Sequence, residues 1–529
     1  MTVEFDGETM TVGDVVAVAR EDEPVAVPEA ARERIRASRE RVEDVLDSGE
    51  TVYGVNTGFG ELVDQRIPRE DIDQLQLNLV RSHASGVGEE LPREAVRAML
   101  ATRINALAKG YSGVRERVVD LLVGMVNWGV HPVVPAQGSL GASGDLAPLA
   151  HVALVLIGEG EARVDGSEPL PGNEALAEAD LDPVALKAKE GLALINGTQL
   201  TVGLAALLVH DAGRALRAAD AAGALTTEVT MGTTATSTPA LQEVRPHDGQ
   251  QASARNVRRL TEGSEIVEAH RNCDRVQDAY SIRCLPQVHG AVRDALVHLR
   301  DAVEVELNSA TDNPLVFDGD RVADRASGTE TAAVLSGGNF HGEPLALRLD
   351  YLVTAVTELA AICERRVDRM VNPNVQEPHL PPFLVEGSGL QSGLMIPQYA
   401  AAALVNENRA IGRAAADNTP VSGNQEDHVS MSAQAAMDAR RAVENLQTVV
   451  GIELLCAAQA AEFVDRAPEV EGEAAHGAGT AAVYEGVREV VPPLDADRPL
   501  YEDVDRAAAL VAAGVIDDAV EGALGESLE

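Results

Sequence analysis

Ala142, Ser143 and Gly144 follow one another inside GSLGASGDLAPLAH (138–151), and such a run of small residues can do chemistry that larger ones would block. The amide of Gly144 can attack a nearby backbone carbonyl only where the chain bends sharply, and Gly144 beside the small Ala142 permits that bend. Loss of water from Ser143 then leaves an exocyclic methylidene, a strong electrophile. Seven other stretches are too rich in Gly, Asn, Gln and Ser to be packing devices: YGVNTGFG (53–60), NLVRSHASGVG (78–88), EGLALINGTQ (190–199), QDAYSIRCLPQVHG (277–290), NSATDNP (308–314), SGGNFHGEP (336–344) and SGNQEDHVSM (422–431). Taken one at a time, each reads as ordinary structure. Tyr53 would be a half-buried ring at a glycine turn, Asn196 a helix cap, Arg283 a surface ion pair and Phe340 core. The acceptor pattern NGT at 196–198 carries no weight without an export signal. HExxH, GxGxxG after a strand, GxxxxGK[ST], the GxSxG elbow and any histidine–carboxylate cluster with metal-ligand spacing are all missing, so the sequence gives no reason to expect a metal or a nucleotide.

Read together and in order, the eight segments resemble the aromatic amino acid ammonia-lyase family, and the resemblance spans Tyr53 to about Glu462. Within that family the closest likeness is to the branch that acts on histidine. The resemblance implies that Ala142, Ser143 and Gly144 cyclise unaided to 4-methylidene-imidazol-5-one (MIO), with an Ala142–Gly144 cross-link, a dehydrated Ser143 and no external cofactor. Asp145 should assist the cyclisation. The implied reaction is non-oxidative elimination of ammonia from L-histidine to give trans-urocanate, the first step of histidine degradation.

Removing a barely acidic β-proton while expelling an amine needs such an electrophile. Either the amine or the ring could add to it, and the sequence does not choose. By resemblance Tyr53 is the base, and its site must favour the phenolate of a phenol whose ordinary pKa is near 10. Arg283 clamps the substrate carboxylate, a bidentate task suited to guanidinium. Asn196, Gln277 and Tyr280 hydrogen-bond substrate or the MIO carbonyl. Phe340 packs beside the ring. His83 and Glu426 meet the imidazole, whose donor and acceptor both need partners. Met395 stands where phenylalanine-type relatives usually carry lysine. The chain departs from the usual pattern at Ala279, Gly342 and Glu61, and of these only Ala279, in the turn before Tyr280, touches the site.

These residues need a scaffold, and the pattern predicts a mainly α protein: a long-helix bundle with a smaller mixed N-terminal domain carrying the MIO loop. The first sixty residues mix β-like pieces (TVEFDG, ETVYGV) with a charged helix from Pro28 to Gly49. Residues 158–183 read as loop, which places a boundary near 190 between domains 1–190 and 191–529. Beyond it, Leu345, Leu349, Leu352, Val356, Leu359, Cys363, Val367 and Met370 recur at steps of four and three, the stripe of a helix packed on other helices. Alanine-rich helices are expected over about 198–223, 287–309, 391–416 and 428–463.

The chain has 529 residues, 45% apolar and 24% charged, which is ordinary for a globular protein. Its charge is not ordinary. Asp and Glu number 84 against 43 Lys and Arg, for a formal net charge of -41. That excess repels phosphate backbones and anionic lipid, so nucleic acid and membrane surfaces are not expected partners, and it suits a cytosol at very high salt. No apolar run reaches the roughly 20 residues of a membrane span, and the N-terminus lacks a basic or apolar leader, so a cytoplasmic location is expected. Cys273, Cys284, Cys363 and Cys456 form no CxxC pair, which fits reduced thiols. The family resemblance further implies a homotetramer with active sites shared between chains. Competing readings are a phenylalanine or tyrosine ammonia-lyase or aminomutase, a non-catalytic homologue, and a fumarase-type helical lyase. The last lacks its serine-loop signature here, and an intact triad and Tyr53 argue against the non-catalytic homologue.

Overall fold

The structure, a computed structural model, describes residues 2–57, 67–271, 276–321, 327–416, 418–470 and 472–529. Cys273, Glu61 and the GFG end of the Tyr53 segment lie outside them. The chain is mainly α-helical, and it divides into two compact units that are interleaved along the sequence. The first comprises 1–210, 299–350 and 413–437, and the second 211–298, 351–412 and 438–529. This differs from a single cut near 190. The division falls inside four long helices, and apolar periodicity marks the face a helix buries, not where along it one unit gives way to the next.

In the first unit, α1 (Ile72–His83), α3 (Leu146–Leu156) and α4 (Glu190–Ile195) pack on one another, while α2 (Arg93–Ala108) is buried on nearly every side. Small residues make that burial possible. Gly203, near the start of α5 (Gln199–Val229), lies so close to α2 that an added Cβ would sit 3.1 Å from the carbonyl carbon of Ala98. The other long helices are α6 (Leu285–Leu307), α7 (Glu343–Val371) and α8 (Ser432–Ala461), close to the expected spans. All eight residues of the predicted α7 stripe are buried.

The β structure is slight. Strand β1 (Val87–Glu90) pairs with β2 (Pro135–Gln137), and β3 (Leu315–Asp318) pairs with β4 (Ala332–Leu335), both antiparallel. The region 158–183 is not simply loop: Glu161–Val164 pairs with both Val130–Pro132 and Leu170–Pro171, and a helix covers Gly172–Glu178. ETVYGV is no strand either. The Asn56 side chain accepts from Val52 N and donates to Glu50 O, and Gly54 at φ +73° completes a turn.

The second unit is tied by a fully buried polar chain that crosses all four long helices. Asp220 of α5 accepts from Asn256 Nδ2 (2.8 Å) and lies 2.7 Å from His289 Nδ1 of α6. The other ring nitrogen of His289 is 3.1 Å from Arg366 Nη1 of α7, and Arg366 pairs with Glu453 of α8, with Nη2 to Oε2 at 2.8 Å. Thr226 of α5 also donates to Glu453 (2.9 Å). Burial holds the His289 imidazole below its ordinary pKa, so the neutral ring links one acid to one guanidinium. Removing one member of such a pair leaves the other charged, buried and unpaired. Arg366→Ala should therefore lower stability by about 3–5 kcal/mol, read from denaturation midpoints at constant salt. A midpoint within error of wild type would show that the chain does not carry this load.

Candidate active site

The small-residue triad is shaped by a backbone contact within the first unit. Gly144 (φ +75°) forms a bridge with Gly197 (φ +141°), and Asp145 N donates to Gly197 O at 2.6 Å. A Cβ on Gly144 would lie 2.2 Å from Gly197 O, so no side chain fits there. The residues around the triad are pinned by distant segments. Met431 N donates to Leu140 O (2.7 Å), and Ser430 Oγ (3.0 Å) and Gly342 N (3.1 Å) donate to Gly141 O. Gly342 is itself required by this packing, because a Cβ there would meet Ser432 Oγ at 2.1 Å.

The Ser143 side chain and carbonyl are both held by hydrogen bonds. Ser143 Oγ donates to Glu426 Oε1 at 2.6 Å, and Asn196 Nδ2 donates to the Ser143 carbonyl at 2.8 Å. Asn196 follows α4, and its own carbonyl accepts from Arg103 Nη1 (2.9 Å), which also donates to Gln199 Oε1 (2.8 Å). Oδ1 of Asn196 is buried and lacks a partner among the described residues. Arg103 is fully buried, and desolvation pushes its pKa down to about 10. Nearby, Lys189 and Asp312 form a buried ion pair at 2.9 Å, and Asp312 Oδ1 accepts from Asn313 N (2.6 Å).

Asp145 stands at the N-cap of α3, but its side chain makes no capping bond to the helix. Its carboxyl accepts from Ser139 Oγ (2.7 Å), Thr201 N (2.9 Å) and Thr201 Oγ1 (3.1 Å). Burial still outweighs these bonds and raises its pKa; Glu306, which accepts from Thr198 Oγ1 at 2.7 Å, is raised for the same reason.

A cavity of about 520 Å³ opens over the triad. Its lining includes Tyr53, Ala142, Ser143, Phe340 and Glu426, so five of the residues singled out in the sequence share one cavity. Gly54 keeps Tyr53 in place, since a Cβ there would collide with Pro314 Cδ at 2.6 Å. Asn313, Ser336, His341, Gln425 and His428 also line the cavity and were not singled out, although each lies in or beside a polar segment that the sequence marks.

His83 ends α1 with Nδ1 2.8 Å from Leu79 O, and it is not among the lining residues. That bond leaves Nε2 free to act as the acceptor. Gln277, Tyr280, Arg283 and Met395 belong to the second unit. Arg283 donates to Gln277 Oε1 and its guanidinium lies 6.0 Å from the Tyr280 ring centre, while Tyr280 is 72% exposed. Gln277 lines a different cavity, of about 650 Å³, with Arg258, His270 and Asp278. The sequence reading missed Arg103, Lys189 and Asp312 because buried charges cannot be told from surface charges by type alone.

The pattern of the family described as aromatic amino acid lyase matches residues 10–489. A protein of Halobacterium salinarum described as a probable histidine ammonia-lyase is 66% identical over 522 residues, covering 99% of this chain and 98% of that protein. Among solved structures, histidine ammonia-lyase from Trypanosoma cruzi is 39% identical with a TM-score of 0.88, covering 99% of this chain and 95% of that one. Tyrosine aminomutase from Streptomyces globisporus is 38% identical with a TM-score of 0.92 and full coverage of both chains. With a match over nearly its whole length, the chain belongs to the aromatic amino acid lyase family.

Proposed function

We propose that the protein is a carbon–nitrogen lyase that converts L-histidine to trans-urocanate and ammonia, using MIO made from Ala142, Ser143 and Gly144. The observation that carries this reading is the placement of Ser143, held between Asn196 and Glu426 in a cavity that also contains the Tyr53 ring. The residues fit the group. Gly144 has the left-handed bend that brings an amide back on the chain, its missing Cβ is the space Gly197 occupies, and Asn196 already donates to the Ser143 carbonyl. Once formed, the group supplies an electrophilic carbon to which an electron-rich substrate atom can add.

The chain's own residues do the rest. Tyr53 takes the β-proton on its phenolate oxygen, and charge that develops on the Ser143 carbonyl oxygen is stabilised by Asn196, behind which stands the buried Arg103 cation. Asn196 Oδ1 is an acceptor available to a substrate ammonium. Asp145, held toward its protonated form, can give a proton to the oxygen that leaves as water during cyclisation. Glu426 and His83 supply hydrogen-bond partners for the imidazole nitrogens, with Nε2 of His83 as the acceptor for the ring N–H, and Phe340 packs on the ring. An apolar wall would leave the ring nitrogens unpaired at a cost of about 1–3 kcal/mol each.

Arg283, half-buried, forms a cluster with the exposed Tyr280 and Gln277, suited to reach the cavity of another copy in a homotetramer with shared sites. Large apolar residues left exposed on long helices, among them Val305, Leu347, Tyr351, Ile396 and Tyr399, support the same assembly. The charge of -41 per chain and the likeness to a Halobacterium protein support a cytoplasm rich in salt as the place of work. No helix among the described residues is long and apolar enough to cross a membrane.

Three measurements test these readings. Intact-mass analysis of active protein should find it two waters lighter than the encoded chain, and Ser143→Ala should show the unmodified mass and little turnover; an unmodified active enzyme would remove the electrophile. Offered histidine, tyrosine and phenylalanine separately in concentrated salt, the protein should form the unsaturated acid fastest from histidine, with Glu426→Gln slower while the mass loss is kept. Faster turnover of tyrosine, or its conversion to a β-amino acid, would favour the aminomutase reading instead. Sedimentation should find tetramers in molar salt that weaken at low ionic strength, and an active monomer would contradict shared sites.

A further inference from the structure

His341, Glu343 and His428 each offer a ligand atom, and these atoms lie within 4.8 Å of one another. Among the described residues no other His/Cys/Asp/Glu group of three converges in this way. The sequence hides the cluster because His428 stands 87 residues beyond His341. From this convergence we infer that the three side chains form a binding site for a divalent transition-metal ion of the zinc type, set in the wall of the cavity that holds Tyr53 and Ser143.

Several features favour a cation there. Two imidazoles and one carboxylate are the donor set that zinc accepts while keeping a position open. The His341 and His428 rings lie parallel, 5.6 Å between centres and 6° between planes, an arrangement in which neither nitrogen pair bonds the other. Their remaining contacts are long: His341 Nε2 to His428 O and Glu343 N to His341 Nδ1 are both 3.4 Å. Oε2 of Glu343 is buried and has no partner among the described residues, a costly state for a carboxylate oxygen unless a cation or donor joins it. Glu343 begins α7, which fixes its backbone, and His428 is exposed, so a ring rotation can bring its nitrogen the remaining distance to ligand spacing. Neighbouring Glu426 and Asp427 add negative potential.

Because His341 and His428 line the cavity, an ion with its waters fills space that a substrate's side chain would need. Occupancy therefore competes with substrate, and the site acts as a metal-sensitive brake on turnover. Binding itself does not depend on which amino acid the enzyme uses.

Equilibrium dialysis with Zn²⁺ in molar KCl, where diffuse binding to surface carboxylates is screened, tests the site directly. Wild type should bind one tight ion per chain, and Co²⁺ in its place should give a visible d–d band. Outer partners of metal ligands alone affect affinity about 10–100-fold, so losing a ligand through His341→Gln, Glu343→Gln or His428→Asn should weaken binding by about 100-fold or more. Glu426→Gln, next to the cluster but outside it, removes only a neighbouring charge and should weaken Zn²⁺ binding far less than the loss of a ligand. Elution volume and melting midpoint establish that each variant is folded, and exposed His428 gives the variant least able to disturb packing. In kinetics, Zn²⁺ should raise the apparent KM of wild type and a chelator should reverse it. No tight ion in wild type, or equal affinity in folded His428→Asn and Glu343→Gln, overturns the assignment. Zn²⁺ that binds at the cluster without competing with substrate overturns the brake.

Discussion

The site depends on one close approach of backbone to backbone, Gly144 against Gly197. With neither residue carrying a side chain, Gly197 O can sit where a Cβ of Gly144 would be and accept the Asp145 amide. That single contact sets the left-handed bend in the triad, orients the Ser143 carbonyl toward Asn196, and starts α3 with the Asp145 carboxyl turned inward. The next residues along each strand of the contact follow from it. Asn196 reaches Ser143 because it is the neighbour of Gly197, and Thr198 reaches Glu306 for the same reason. Any Cβ at this crossing would separate the two segments, and the bend would have no partner to hold it.

A contact made of backbone alone is weakly specified, and the surrounding charges supply the rigidity. Arg103 grips the Asn196 carbonyl from below, Gln199 ties Arg103 to Thr311 through hydrogen bonds of 2.8 Å, and the Lys189–Asp312 pair lies beside them. Buried ions are poor sources of net stability, yet costly to misplace. Such a layer penalises every alternative arrangement of 196–199 and 311–313 more than it favours the native one. The second unit uses the same device at a larger scale, where Asp220, His289, Arg366 and Glu453 fix the registers of four alanine-rich helices. Smooth alanine faces slide past one another at little cost, so a buried polar chain is what holds such helices in one register.

Sequence and structure agree where a residue type has few uses. The alternation that marks α7 reports a buried stripe because nothing else keeps apolar residues at that spacing over so many turns. Gly144, Tyr53, Phe340 and Glu426 were legible through the family resemblance, since they sit in segments that packing does not explain. The convergence of Tyr53, Ser143, Phe340 and Glu426 was not legible from spacing, as it joins four stretches from 53 to 426. Gly342 looked like a departure of no consequence, and the position of Ser432 Oγ shows that a methyl group would not fit beside it. Lys189, one of only three lysines in the chain, reads as a surface charge by type and is wholly buried. The strand expected at ETVYGV failed because Asn56 satisfies the backbone locally, which β-propensity cannot foresee.

The placement of the groups proposed to meet substrate links the proposed activity to the proposed assembly. Triad, Tyr53 and Glu426 meet in one cavity of the first unit, whereas Arg283 and Tyr280 stand together on an exposed segment of the second. A guanidinium assigned to a substrate carboxylate has to face a cavity, and its neighbour Tyr280 is 72% exposed. In the assembly proposed above, that exposure is covered by another copy, and the carboxylate clamp arrives with it. Charge then enters the chemistry through assembly. Each added chain brings a formal -41, so the work of bringing chains together rises with every copy and falls as salt screens it. An enzyme organised in this way needs no separate sensor of ionic strength, because the site is complete only where the chains can approach.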